Sequence, residues 1–393
     1  MSHSFGPILY VDSADFSRPL YGSGGATVCG SAIRHAASSF VFVGYTSDDD
    51  RLGYVTRKRL YGVDFNFMPI GRAPSGRRWV PEAMRFGILL QRYRRGIADL
   101  GITRLFTRTY SALWWCAFST NWRAYYYAPG LGNPLLIGRR PALGRVFSGV
   151  YNYLQGRALA RTTVAFAAAS EDEIAKHNRY LTSVGLTRKY ERLPTAVNTD
   201  LFKPRPRHIA RGRLGIAPSA KVFVYSGRLA RVKGIDLLLE SFRTVRKRYS
   251  DSVFLMAGHG EEEEWVRRTI EAMDLGNSVV LLGNIPPEQL AVVIAAANAC
   301  VVGSHTEGFS LAMLEHAACG RPIVSTDVSG ARDIICDGVN GFIVHQRDPD
   351  IFAAKMIDAT ALSNVARYSC RLVEENYSEE RLWQSVLQRV NAD

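Results

Sequence analysis

Residues 299–326 read ACVVGSHTEGFSLAMLEHAACGRPIVST, and this stretch decides the fold. Cys300–Val302 and Ile323–Thr326 are short apolar runs rich in β-branched residues, and Leu311–Cys319 between them is an apolar segment of helical length. Strands written as continuous apolar runs are buried on both faces, and two such strands joined through a helix form a parallel pair. The same alternation runs upstream. Val222–Ser226, Val253–Gly258 and Val279–Leu282 read as strands, and Gly234–Tyr249, Glu261–Met273 and Pro287–Ala297 read as helices. A βαβ series of this kind makes a doubly wound sheet that binds ligands beyond the carboxyl ends of its strands.

The first half carries a weaker version of the pattern. Pro7–Asp12 is a strand, followed by Gly22, Gly24 and Gly25 and by a helix over Thr27–Ala37; Phe40–Tyr45 is a second strand leading to the acidic Asp48–Asp50. The basic stretch after it yields no assignment. Beyond it the periodicity predicts a helix over Met84–Leu100, strands at Arg104–Thr107 and Ala124–Tyr127, a long helix over Leu143–Arg161 and a strand at Val164–Ala169. Ser170 and Glu173 form a capping box that opens a helix over Glu171–Val184. Pro194, Pro204 and Pro206 mark an extended linker within Arg192–Pro206. The expected architecture is therefore α/β, with two Rossmann-like domains whose parallel sheets face an interdomain cleft. The domains are expected at 1–205 and 206–370, with a helix in 371–393 packing back toward the N-terminal domain.

Two groups of residues carry chemistry. Ser226-Gly227-Arg228-Leu229 with Lys233-Gly234 lies between a buried strand and a helix, where glycines let a phosphate approach the backbone and Arg228 and Lys233 neutralise it. Glu307 and Glu315 are eight residues apart, the first in a loop and the second on the following helix. With that helix starting near Phe309, both carboxylates face one site, and acceptor-only carboxylates suit vicinal hydroxyls. The backbone amides of Gly308, Phe309, Ser310 and Leu311 then point at bound phosphate or sugar.

In order along the chain come GRLARVKG after Val222–Ser226, AGHGEE at Ala257–Glu262, LLGNIP at Leu281–Pro286, the Glu307/Glu315 pair and CGRPIVSTDVSGARDII. With PTAVNTDLFKP at Pro194–Pro204, this series resembles the donor domain of retaining glycosyltransferases of the GT-B fold, family 4, over roughly residues 190–345. The resemblance implies that Arg228 and Lys233 bind the donor diphosphate, Glu315 the ribose hydroxyls and Glu307 the donor sugar. Gly258 belongs to the donor-side motifs, Gly283 and Asn284 would flank the nucleobase, and Gly24 with Gly25 would approach the diphosphate from the N-terminal domain. Arg228, Lys233 and Glu307 would be the catalytic set, with Glu307 not a nucleophile and the leaving phosphate assisting deprotonation of the acceptor. Many relatives place a histidine in the region matching Tyr126–Gly132, which here reads YYAPGLG; either a neighbour such as Asn133 substitutes for it or the donor sugar is held differently, and Tyr127 and Asn133 are the candidate sugar or acceptor contacts. No DxD-type carboxylate pair stands beside the phosphate loop, so a metal-independent reaction is expected. No cofactor is expected either, because the nucleotide sugar is a substrate.

Composition narrows the partners. The 47% hydrophobic and 22% charged content is that of a folded globular chain. The six cysteines lack paired CxxC spacing, so they read as small core hydrophobes rather than zinc ligands or disulfides. The longest uncharged run, Gln289–Thr306, is too short in its apolar part to cross a bilayer, and the N-terminus lacks the basic-then-apolar pattern of a secretory signal, so a cytoplasmic location is expected. Residues 1–205 hold 28 Lys and Arg against 13 Asp and Glu, a balance of +15, whereas the remaining 21 and 23 give −2. That asymmetry suggests either a solvated basic face or an anionic partner, whether acidic lipid, a phosphorylated acceptor or nucleic acid. With the transferase resemblance the expected partners are a glycan or lipid-linked acceptor and an anionic membrane surface, with Trp79, Trp114 and Trp115 as interfacial aromatics and no nucleic acid. A nucleotide-sugar epimerase of the same fold would convert donor without transfer. A non-catalytic carbohydrate-binding homologue would bind without turnover. A dehydrogenase would need a GxGxxG followed by an acidic residue, which is missing.

Overall fold

The computed structural model describes residues 6–20, 24–74, 81–117, 122–128, 131, 141–183, 185 and 190–392. Contacts divide the chain into two compact units, Met1–Pro194 with Leu382–Asp393, and Thr195–Arg381.

The first unit is built on an eight-stranded sheet in the order β3-β4-β2-β1-β5-β6-β7-β8. Its strands are β1 (Ile8–Asp15), β2 (Phe40–Thr46), β3 (Thr56–Leu60), β4 (Val63–Arg72), β5 (Arg104–Thr107), β6 (Arg123–Ala128), β7 (Val164–Ala167) and β8 (Tyr190–Arg192). All pairs are parallel except β3 with β4, so this sheet is not parallel throughout. The exception is a hairpin that fills the stretch without a sequence assignment. Leu60 pairs with Val63 across Tyr61 and Gly62, both at positive φ, the conformation that two-residue hairpin turns require.

The helices of this unit are α1 (Gly24–Ala36), α2 (Glu82–Arg92), α3 (Arg94–Ala98), α4 (Tyr110–Ala117), α5 (Pro141–Ala160) and α6 (Glu171–Ser183). The single helix expected over Met84–Leu100 is thus two, broken at Tyr93. One side of the sheet carries an aromatic core. Tyr10, Phe40 and Phe106 surround Trp383 with ring centroids 5.6 to 6.0 Å away, and Phe16, Phe42, Phe65 and Phe67 continue the cluster.

The second unit holds six parallel strands in the order β11-β10-β9-β12-β13-β14. These are β9 (Val222–Ser226), β10 (Val253–Ala257), β11 (Val279–Gly283), β12 (Ala299–Val302), β13 (Ile323–Thr326) and β14 (Gly341–Val344). Helices α7 (Arg207–Leu214), α8 (Ile235–Arg248), α9 (Glu263–Ala272), α10 (Pro287–Ala296), α11 (Leu311–Ala318), α12 (Ala331–Ile334), α13 (Pro349–Ala359) and α14 (Val365–Asn376) cover them. Strand β9 is central, and every one of its residues is buried. The chain after Pro194 already belongs to this unit, since Val197 donates to Tyr377 O and the Arg321 guanidinium donates to Arg205 O.

The last helix, α15 (Glu379–Ala392), belongs from Leu382 onward to the first unit. Trp383 is 1% exposed and its indole N–H donates to Ser31 Oγ at 2.8 Å. Four cysteines are buried, Cys336 and Cys370 are half-buried, and all six are free. Among the described residues no helix is long and apolar enough to cross a membrane.

Candidate active site

The second unit gathers its polar loops at the carboxyl ends of β9, β10, β11 and β12. Gly227 N donates to Ala257 O, Gly258 N to Gly283 O, and Leu229 N to His259 O, so the loops after the first three strands are bonded edge to edge. Gly258, at φ 141°, sits so close to its neighbour that a Cβ there would lie 1.8 Å from Gly227 O. Its glycine is therefore required by the close approach of two backbones. Asn284 is exposed beyond Gly283.

After β9 the chain makes a short 3-10 turn over Arg231–Lys233 and reverses at Gly234, which has φ 60° and leads into α8. A side chain at 234 would meet Gly303 O at 2.0 Å, so this glycine lets the loop after β9 lie against the loop after β12. The consequence is an ion pair. Lys233 Nζ lies 2.6 Å from Glu307 Oε1, and the two side chains are 23% and 11% exposed. The same carboxylate oxygen accepts from Ser304 Oγ at 2.6 Å. Ser304 is in turn held through its carbonyl, by Thr326 Oγ1 at 2.6 Å and Arg347 Nη1 at 3.2 Å, and Arg347 also donates to Gly303 O at 2.7 Å.

Arg228 is differently placed. Its side chain is 59% exposed and meets Glu261 at 3.7 Å, an exposed pair of the kind that contributes about 0–1 kcal/mol. It is therefore available to an anion at little cost.

Helix α11 begins at Leu311 rather than near Phe309, with Ser310 as its N-cap accepting from Met313 N. Glu315 thus lies in the second turn, and the first helical amides are those of Leu311 and Ala312. The Phe309 ring is buried, stacked 5.5 Å from Tyr377 and packed against Gly330, so Phe309 offers a ligand its backbone and not its ring. Glu315 is half-buried, and among the described residues no hydrogen bond or ion pair reaches its carboxylate. Burial pushes it up to about 8. A carboxylate at this depth is costly to ionise without hydrogen-bond donors, and hydroxyl donors would offset that cost. Its neighbour His316 is fully buried, bonded through Nε2 to Ser226 Oγ at 2.9 Å and pushed down to about 3 by burial. It ties α11 to the end of β9 as a neutral imidazole.

Glu315 gives a pH test. Its folded value lies above the ordinary carboxylate range, so the folded state holds the extra proton and stability is lost as pH rises from about 4.5 through 8. Glu315→Gln is expected to raise the melting temperature at pH 8.5 relative to wild type and to leave it nearly unchanged at pH 4.5. Parallel melting curves for the two proteins across that range would contradict the assignment.

Of the other sequence candidates, Gly24 and Gly25 open α1, and Gly25 O accepts from Arg108 Nη1 at 2.7 Å. Tyr127 is 1% exposed within the first sheet. Asn133 lies outside the described residues, as does Trp79. Trp114 and Trp115 do not form an exposed rim: both pack against core clusters and donate to Gln155 and Gln91, respectively. Sequence reading passed over Ser304, Thr326 and Arg347; only Ser304 had a local signal, its three-residue spacing from Glu307. A cavity of about 290 Å³ lies beside the same loop, with Arg231, Ile235, Trp265 and His305 among its walls, but Lys233, Glu307 and Glu315 do not line it. Among the described residues no group of three or more His, Cys, Asp or Glu is placed to hold a metal ion.

Residues 207–371 match the family described as glycosyl transferases group 1. This part of the chain is a group 1 glycosyltransferase domain. Arg228, Lys233, Glu307 and Glu315 all fall inside the matched stretch. The D-inositol 3-phosphate glycosyltransferase of Geodermatophilus obscurus is 35% identical over 207 residues, 50% of this chain and 45% of that protein. The GDP-mannose-dependent alpha-(1-6)-phosphatidylinositol monomannoside mannosyltransferase of Mycolicibacterium smegmatis is 29% identical over 244 residues, 57% of this chain and 63% of that one. The matches thus span about half the length of these curated relatives. The fold match extends through the whole chain. Sucrose-phosphate synthase from Thermosynechococcus elongatus superposes with a TM-score of 0.77 at 18% identity over 99% of both chains. Anabaena HepE in complex with UDP-glucose gives 0.70 at 16% identity over 98% of this chain and 100% of that one. The two α/β units, the second of which holds the matched stretch, are those of the GT-B fold.

Proposed function

We propose that the chain is a retaining, metal-independent hexosyltransferase that takes a hexose from a nucleotide-diphosphate sugar, GDP-mannose or a UDP-hexose, to a lipid-linked or surface-polysaccharide acceptor. The observation that carries this reading is the Lys233–Glu307 contact at 2.6 Å, with Glu315 half-buried in the second turn of the following helix and without a partner among the described residues. Together they supply a cation for a departing phosphate and two carboxylates for hydroxyls. In the reaction the bond between C1 and the β-phosphate oxygen breaks with its electron pair going to the phosphate, and the acceptor oxygen bonds to C1 on the same face. The acceptor proton passes to the leaving phosphate. Fixed cations placed where charge develops lower that barrier, and Arg228 and Lys233 take that role without a metal. Glu307 holds sugar hydroxyls and Glu315 the ribose.

The names of the relatives support the substrate class: one is a phosphatidylinositol mannosyltransferase that depends on GDP-mannose, and HepE was solved with UDP-glucose. Incubation with GDP-mannose and UDP-glucose in the presence of EDTA tests the proposal. Transfer to a lipid or glycan acceptor is expected. Epimerised donor without transfer indicates the epimerase instead, and turnover abolished by EDTA refutes metal independence.

A cytoplasmic place at an anionic membrane surface is part of the same proposal. Helix α2 exposes Met84 and Ile88, at 61% and 63%, within a run that also carries Arg85, Arg92, Arg94 and Arg95. An apolar pair flanked by arginines suits the boundary of an acidic lipid surface. The chain is expected to co-sediment with phosphatidylglycerol vesicles at low salt and to be released by about 0.5 M salt, as screening shortens the reach of its charges. Met84→Glu with Ile88→Glu should abolish sedimentation; unchanged sedimentation would exclude this face.

A further inference from the structure

The buried polar chemistry of the first unit is concentrated beside Gly25, in a charged pair, Asp12 and Arg108, to which the proposed donor chemistry gives no role. Strands β1 and β5 are the neighbours from which the sheet winds in opposite directions, the position where open α/β sheets take ligands. Their last paired residues are Val11 and Thr107, and the next residue on each strand is charged: Asp12 and Arg108. Both side chains are more than nine-tenths buried, at 9% and 8% exposure.

Arg108 is tied down by one nitrogen only. Nη1 donates to Gly25 O at 2.7 Å and lies 3.5 Å from both Asp12 Oδ2 and Cys29 Sγ. Its Nε is buried without a hydrogen-bond partner among the described residues. The Nε–Nη2 side is the two-pronged edge by which arginine grips phosphate and carboxylate. An orphaned guanidinium donor in a buried position is costly unless something completes it. What stands beside it is the start of α1: a Cβ on Gly25 would lie 2.9 Å from Nη2. That helix has 13 residues and no acidic residue in its first turn, so its positive end is not offset from within.

We infer that Arg108, held by Asp12 and Gly25 O at the switch point of the first sheet, is an anion-binding residue that receives a phosphate group. The site rests on the geometry of the first unit alone. Only the choice of phosphate source, the donor diphosphate or a phosphate on the acceptor, rests on the proposed transferase activity. Asp12 positions the guanidinium and leaves its bidentate edge to the ligand.

The test uses the full chain carrying Arg228→Ala and Lys233→Ala, which removes the phosphate loop of the second unit from the reading. Inorganic phosphate is titrated and followed by ³¹P NMR line broadening. Arg108→Lys, and Arg108→Gln combined with Asp12→Asn so that no buried charge is left alone, are compared after circular dichroism confirms folding. A loss of phosphate affinity of at least about tenfold is expected in both. Should the double variant not fold, Arg108→Lys decides by itself, because it keeps the charge opposite Asp12 and loses the planar fork. Equal phosphate binding with and without Arg108, or none at millimolar phosphate, overturns the inference. In the chain with Arg228 and Lys233 intact, a parallel loss of UDP and GDP affinity on Arg108→Lys identifies the donor diphosphate as the anion, and retained affinity identifies the acceptor. Failure of the chain to bind any nucleotide would refute the donor reading while leaving the phosphate titration in force.

Discussion

Lys233→Ala is expected to lower turnover by about 10²–10³-fold, the usual effect of removing one fixed group that stabilises developing negative charge. The size of the effect follows from where the ammonium sits. It is mostly buried and locked 2.6 Å from Glu307, so it is already oriented when a diphosphate arrives. Arg228 cannot replace it, being 59% exposed and loosely paired with Glu261. Lys233 and Glu307 neutralise each other in the structure; on the proposed reading, a bound donor would give Lys233 a phosphate and Glu307 a set of hydroxyls. The two substitutions should therefore be coupled, with the double variant losing less than the sum of the singles. Ser304 remains bonded to Glu307 in Lys233→Ala, which keeps the loop in place and makes the loss one of turnover rather than of folding. Steady-state kinetics with an unchanged melting temperature would show this. Full activity in both Lys233→Ala and Glu307→Gln would mean that the chemistry lies elsewhere.

Trp383→Ala is expected to destabilise the first unit by about 3–5 kcal/mol, as for other large aromatics removed from cores. For a unit of this size that lowers its melting temperature by roughly 2–4 °C per kcal/mol. Trp383 is sequence-distant from everything it touches. Its ring lies among Tyr10, Phe40 and Phe106, and its N–H satisfies Ser31 on α1. A cavity there unsettles β1, β2 and β5 together. Trp383→Phe keeps a ring in place and loses the hydrogen bond, so it should cost only about 1 kcal/mol for the bond plus a modest packing loss. Hydrogen exchange resolves the units: protection should fall in β1, β2 and β5 and persist in β9 and β12. Unaltered exchange in the first unit would show that α15 contributes nothing to it.

The second unit was legible because its strands are buried on both faces and announce themselves as apolar runs. Val222–Ser226 and Ile323–Thr326 coincide with the strands observed there, and in the first unit Arg104–Thr107 does the same. The hairpin of β3 and β4 was not legible. Thr56–Leu60 is an edge strand with charged side chains on exposed positions, as edges that resist aggregation are, and its turn uses Tyr61-Gly62 where Asn-Gly is the usual signal. Helix α4 escaped because YSALWWCA is apolar on nearly every side and has no period to read. At the site, residue types and spacing pointed to Glu307, Glu315, Arg228 and Lys233, but the contacts that hold Ser304, and through it Glu307, come from Thr326 and Arg347 on later strands and loops. Such long-range partners leave no local mark. The same holds for Arg108, whose role depends on β5 lying beside β1.

The most direct measurement is isothermal titration of the wild-type chain and of Lys233→Ala and Glu315→Gln with UDP-glucose and GDP-mannose. One-to-one binding of at least one of them to wild type, weakened tenfold or more in each variant, is the expected result. No binding of either nucleotide sugar, or equal affinity in all three proteins, would contradict a donor site built on Lys233, Glu307 and Glu315.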